Sequence, residues 1–105
     1  MIRGGIYRVD FGEAKRGHEQ RGNRYALVVS IQRDSWTVVT VVPTSTQAGA
    51  ASFRPEIEFG DRATRLLIDQ IRTVDTNYVG ELVHYLAADE MAHVNETLGL
   101  FLGLD

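Results

Sequence analysis

The sequence has no cysteine, two prolines, one tryptophan and one lysine among its 105 residues. Without cysteine there is no disulfide framework, thiolate zinc site, iron–sulfur cluster or cysteine nucleophile. No apolar run approaches the roughly 20 residues of a membrane-spanning helix, so no membrane association is expected. Met1-Ile2-Arg3-Gly4-Gly5 is not followed by the apolar stretch of a secretory signal, and the expected location is the cytoplasm. No Gly-x-Ser-x-Gly elbow, P-loop or Gly-x-Gly-x-x-Gly run occurs, which removes the usual footholds of serine hydrolases and nucleotide cofactors. His18, His84 and His93 stand at no ligand spacing to one another, so neither a metal nor another cofactor is expected.

The composition that remains, 44% apolar and 24% charged, belongs to an ordinary folded chain. Its length suits one domain over residues 1–105, burying roughly two thirds of the surface of the extended chain. Charge is unevenly placed. Residues 1–33 carry seven basic against three acidic side chains, net +4, and the rest carries four against eleven, net −7. A local phosphate-binding surface on an acidic protein is compatible with this split, and so is a plain solvated face.

Ile6 to Phe11 alternates like a half-buried strand. Tyr25 to Ser30 and Trp36 to Val42 are continuous β-branched or apolar runs, expected of strands covered on both faces, with Gln32 to Ser35 as a hairpin connection. Pro43 belongs at or near the end of the third strand, and Pro55 makes Phe53 to Phe59 an edge strand. Gly60-Asp61 marks a turn before a fifth strand from Arg65 to Val74. Met91, Val94, Leu98 and Phe101 or Leu102 then recur at helical spacing behind Asp89 and Glu90. The fold class is mostly β with helix (α+β): a strongly bent, five-stranded, antiparallel SH3-like barrel or sheet with a C-terminal amphipathic helix.

Two clusters carry chemistry. The polar stretch Glu13 to Asn23 runs into a buried strand through Gly17-His18-Glu19-Gln20-Arg21-Gly22-Asn23-Arg24. An arginine at a strand mouth offers a planar fork to a phosphate, and a carboxylate five residues earlier can orient it. By residue type alone, a surface loop with an incidental ion pair is the plainer description. Pro43-Thr44-Ser45-Thr46-Gln47 places three hydroxyls at a strand end, which by itself also describes a turn closed by hydroxyl–backbone hydrogen bonds.

Taken together, these segments resemble the MazF/PemK family of toxin endoribonucleases, most like its actinobacterial members. The resemblance runs from Arg3 to about Leu104. It is carried by Arg3-Gly4-Gly5-Ile6-Tyr7-Arg8-Val9-Asp10-Phe11, by Gly17-His18-Glu19-Gln20 through Arg24 to Ser30, by Val42-Pro43-x-Ser45, and by Asp69-Gln70-Ile71-Arg72-Thr73. It implies the toxin of a type II toxin–antitoxin system: a homodimer that cuts single-stranded RNA, whether messenger, ribosomal or transfer, and is neutralised by a cognate antitoxin. The family's loop arginine falls on Arg24 and its threonine hydroxyl on Ser45, with Glu19 as the accompanying acid. His18, Gln20, Arg21, Thr44, Thr46, Asp69 and Gln70 fall at RNA-binding positions. Tyr25 replaces the proline that most relatives carry after the arginine, and Ser45 replaces the usual threonine. Two other readings are a gyrase-poisoning toxin of the same fold and a non-catalytic SH3-like nucleic-acid- or peptide-binding module. The C-terminus Leu102-Gly103-Leu104-Asp105 lacks the tryptophan-containing tail of the gyrase-directed relatives.

Overall fold

The computed structural model describes residues 1–12 and 22–104. Seven strands, β1 (Gly5–Asp10), β2 (Asn23–Val28), β3 (Val38–Ser45), β4 (Glu56–Phe59), β5 (Arg62–Leu66), β6 (Arg72–Asp75) and β7 (Val79–Tyr85), precede one helix, α1 (Ala88–Leu102). All pairings are antiparallel, in the order β4-β5-β3-β2-β1-β7, with β6 also against β3.

The continuous apolar runs of β2 and β3 lie in the middle of this curled sheet, buried on both faces. Successive side chains point to opposite faces, so each run feeds two cores at once. Ile6, Leu27, Val42 and Leu66 pack on one face under Val94 and Leu98 of α1. Tyr7, Val9, Phe11, Ala26, Val28, Val39 and Val41 pack on the other with Val74 of β6. Phe101 rather than Leu102 completes the helix's inner stripe, meeting Phe53 at 5.0 Å between ring centroids while Leu102 is half exposed. The helix ends at Gly103, whose φ of 72° allows Leu104 N to donate to Gly99 O and Gly103 N to Leu100 O.

Strand count is where sequence and structure part. The run from Arg65 to Val74 is two strands, not one, interrupted by a 3₁₀ turn at Ile68–Gln70. That turn moves the chain along β3, whose outer neighbour changes from β6, paired at Val38 to Val41, to β5, paired at Thr44 and Ser45. Pro43 lies between these stretches. Its carbonyl accepts from Leu67 N, so its missing N–H faces the junction, where no regular ladder runs, and β3 continues past it to Ser45. The third strand starts at Val38, leaving Trp36 exposed in the connection. β7 follows the second 3₁₀ turn, Thr76–Tyr78, and was absent from the expected set because Gly80 and Glu81 dilute its apolar pattern. β4 is the expected edge, joined to β5 by Gly60 and Asp61 at φ of 61° each, the type I′ geometry of a two-residue hairpin.

Candidate functional site

The β2–β3 register builds the site. Ala26 pairs with Pro43, Leu27 with Val42 and Val28 with Val41. Extending it two residues beyond Ala26 sets Tyr25 opposite Thr44 and Arg24 opposite Ser45. Thr44 Oγ1 donates to Tyr25 O at 2.8 Å, as that alignment requires. Arg24 shares a sheet face with Ala26, and Ser45 shares it with Pro43, because side chains alternate. Thr44 points to the other face and is buried.

Arg24, Thr44, Ser45 and Thr46 meet in an open depression of about 300 Å³, completed by Asn23, Tyr25, Gln47 and Arg62. The described lining contains two guanidiniums, three hydroxyls, two amides and a phenol, and no carboxylate. Such a lining favours an anion. The three hydroxyls are not equivalent. That of Thr44 is committed to Tyr25 O. Ser45 Oγ accepts from Gln47 N at 3.1 Å and Ala48 N at 3.0 Å, which fixes its position and leaves its proton to donate outward. Thr46 is exposed.

Tyr25 takes a defined place of its own. Its ring meets Phe59 edge-on at 5.3 Å, the Arg8 guanidinium lies 5.1 Å from its centroid, and Arg8 Nη2 donates to its hydroxyl at 3.2 Å. Side-chain contacts therefore hold the strand entrance.

Asp69 and Gln70 lie on the Ile68–Gln70 turn, outside this depression. Arg54 grips Asp69 through two hydrogen bonds, Nε to Oδ1 at 3.1 Å and Nη2 to Oδ2 at 2.9 Å. The bonds from Arg54 hold the Asp69 carboxyl below the usual carboxylate range, and Arg54 is raised in return. Gln70 is half buried, with its carbonyl oxygen in no hydrogen bond. His18, Glu19, Gln20 and Arg21 lie outside the described residues. Among the described residues no three His, Asp or Glu side chains gather as a metal site would need, and no helix is long and apolar enough to cross a membrane.

Asn23 and Gln47 belong to the two clusters read from the sequence without being named as site residues, and Arg62 was not singled out at all. Arg62 had a usable signal: it is the first residue after the Gly60-Asp61 turn, so the hairpin aims it at the end of β3.

Three relatives put this geometry in context. A Mycobacterium tuberculosis protein named as a candidate toxin is 58% identical over 105 residues, spanning 99% of each chain. An endoribonuclease MazF of Staphylococcus saprophyticus is 32% identical over 114 residues, spanning 99% of this chain and 92% of its own. The solved structure of a mycobacterial endoribonuclease in complex with its cognate antitoxin superposes with a TM-score of 0.82 at 22% identity, covering 100% of this chain and 97% of that one. Residues 2–102 match the family described as PemK-like, MazF-like toxin of type II toxin-antitoxin system, and the chain belongs to that family.

Proposed function

We propose that this toxin is a metal-independent endoribonuclease that cuts single-stranded RNA in the depression between β2 and β3. The observation that carries the reading is that Arg24, Ser45 and Arg62 line one open depression at the ends of β2 and β3. RNA brings its own nucleophile, the 2′-hydroxyl. The protein therefore needs to align that oxygen with the leaving 5′-oxygen, move protons and stabilise the pentacoordinate phosphorane. Arg24 supplies the planar fork for the phosphorane oxygens. Its role is electrostatic, since a guanidinium with pKa above about 12 is a poor acid. The Ser45 hydroxyl, anchored by two amides, donates to a phosphate oxygen. Glu19 orients Arg24 or takes the 2′-hydroxyl proton. Arg62 adds a second positive charge.

His18, Gln20, Arg21, Thr46 and Gln70 contact the strand around the cut, Asp69 does so through the lone pairs that Arg54 leaves, and Thr44, buried with its hydroxyl on Tyr25 O, supports the wall beside them rather than touching the RNA. The 105-residue chain acts in the cytoplasm as one unit, as a homodimer, and a cognate antitoxin segment inhibits it by covering the RNA groove. The basic bias of residues 1–33 suits an acidic, disordered inhibitor that orders on binding. Sedimentation at micromolar concentration should show a dimer, and a stable monomer there would remove that part of the reading.

Incubating the purified protein with mixed RNA in excess EDTA tests the activity. Cleavage should persist and leave 2′,3′-cyclic phosphate and 5′-hydroxyl ends. Fragments with 5′-phosphates, or loss of cutting on chelation, would overturn the mechanism. Intact RNA would return the choice to a gyrase-directed toxin or a binding module.

A further inference from the structure

The depression holding Arg24 does not stand alone. Asn23, which borders it, also borders a smaller hollow of about 180 Å³ together with Arg8, Asp10, Asn77, Tyr78 and Gly80. Asp10 and Tyr78 in turn border a third hollow, about 290 Å³, whose wall includes Phe11 and Arg72. The three neighbour one another through these shared lining residues. Asn23 is the residue before Arg24 in the chain, so the middle hollow sits one residue from the guanidinium that the reading above assigns to the phosphate.

Its chemistry differs from that of the phosphate depression. Tyr78 is 55% exposed, so its ring is open to solvent at the edge of the hollow. It is presented by the Thr76–Tyr78 turn, which is fixed because Asp75 Oδ1 accepts from Asn77 N at 2.8 Å. Asp10 and Asn23 are cross-strand partners. Asp10 Oδ1 accepts from Gly12 N at 2.8 Å, which holds the carboxylate in place while leaving Oδ2 and further lone pairs open. Beyond them, the Arg72 guanidinium lies 5.0 Å from the centroid of the Phe11 ring. An exposed ring on a rigid turn, a fixed carboxylate and two amides make a set that can stack on a flat heterocycle and read its edge.

We infer that the hollow of Asp10, Asn23, Asn77 and Tyr78 is a base-reading subsite for the nucleotide flanking the scissile phosphate, and that it prefers guanine. The inference deepens the endoribonuclease reading and rests on it. Guanine is the base whose pairing edge sets two donors, N1–H and N2–H, side by side, and a carboxylate accepts both. Uracil would turn two carbonyl oxygens toward Asp10 around its single N–H, so the same carboxylate repels it. The Asn23 and Asn77 amides can serve the remaining edge, and Tyr78 supplies the stacking face.

Two experiments test it. In the first, a randomised RNA is cut by the wild type, Asp10→Asn, Tyr78→Ala and Tyr78→Phe, and the base at each position around the cut is counted. The wild type should enrich guanine at one flanking position, and Asp10→Asn should lower that enrichment about tenfold there and nowhere else. Tyr78→Ala should weaken it, while Tyr78→Phe, which keeps the stacking face, should preserve it. No guanine bias at a flanking position, or one unchanged in Asp10→Asn, overturns the subsite while leaving the cleavage reading intact. The second needs no cleavage. Guanosine 3′-monophosphate titrated into the intact protein should shift the NMR signals of the Tyr78 ring and the Asn77 side-chain amide more than uridine 3′-monophosphate does. Equal or absent shifts overturn the subsite whatever the enzyme assay shows.

Discussion

Two arginine sites, on opposite sides of β3, differ in what surrounds the guanidinium. Arg54 faces a carboxylate, and both of its hydrogen bonds to Asp69 are built into the fold, tying the segment before β4 to the Ile68–Gln70 turn. Arg24 stands across from a serine, and the described walls around it carry hydroxyls, amides and a second arginine. The planar fork is the same in both places. What differs is the wall around it: a carboxylate from a neighbouring turn grips the Arg54 guanidinium, whereas Arg24 lines a depression whose other described residues present hydroxyls, amides, a phenol and a second guanidinium.

That contrast can be broken most severely at Arg24. Arg24→Lys keeps the charge and loses the fork, so cleavage should fall about 10²–10³-fold with thermal stability unchanged. Cutting at near wild-type speed would reduce Arg24 to a general phosphate anchor.

The hydroxyls sharpen the comparison within the depression. Ser45→Ala should strongly reduce cleavage and Ser45→Thr should retain it. Thr44→Ala should act mainly on stability, because it removes the Thr44 Oγ1 hydrogen bond to Tyr25 O, at a cost of about 1 kcal/mol by chemical denaturation. If Thr44→Ala or Thr46→Ala were the inactive variant and Ser45→Ala cut normally, the functional hydroxyl would lie on the other face of β3.

Smaller effects belong to the paired arginine. The Arg54–Asp69 side chains are partly exposed, so removing the pair should cost about 0.2–1 kcal/mol. Its sign with pH is fixed. Asp69 is lowered in the folded state, so its contribution is fully present above the ordinary carboxylate pKa of about 4 and fades as pH falls through the lower, folded value. Urea midpoints measured from pH 7 downward should fall below about pH 4 more steeply for the wild type than for Asp69→Asn. Parallel curves would show that the bidentate pair adds nothing in solution.

Much of this was legible in the amino-acid order, for reasons that can be stated residue by residue. The double-sided burial of β2 and β3 shows as uninterrupted runs from Tyr25 to Val29 and Val38 to Val42, and the helix shows as a 3.6-residue stripe. Alternation alone separates Ser45 from Thr44 once β3 is known to continue through Pro43. The division of Arg65 to Val74 was hidden because a 3₁₀ turn made of Ile68, Asp69 and Gln70 breaks no hydrophobic pattern. β7 was hidden because pairing with β1, rather than its own periodicity, makes it a strand. Within the site, residues 24 and 44–46 were legible only through the family resemblance, because by residue type alone a surface loop and a turn closed by hydroxyls are the plainer descriptions. Arg62 was not, since its place depends on a hairpin that brings it back to a strand some twenty residues earlier.

The pairing of β1 with β7 bears on how the chain reaches this state. Gly5 meets Tyr85 and Ile6 meets His84, so the first strand gains its second neighbour only when nearly all of the chain has been made. The strands in between pair across connections of about a dozen residues or fewer, or between residues about 20–35 positions apart, whereas this ladder joins strands about 75 residues apart. Assembly should therefore run from the β2–β6 middle outward, with closure of β1 onto β7 and the docking of α1 as the slow, final event. On the ribosome, a nascent chain that already displays Arg24 and Ser45 still has one side of β1 open until β7 is made, so the sheet around the depression closes well after the residues that line it have been joined.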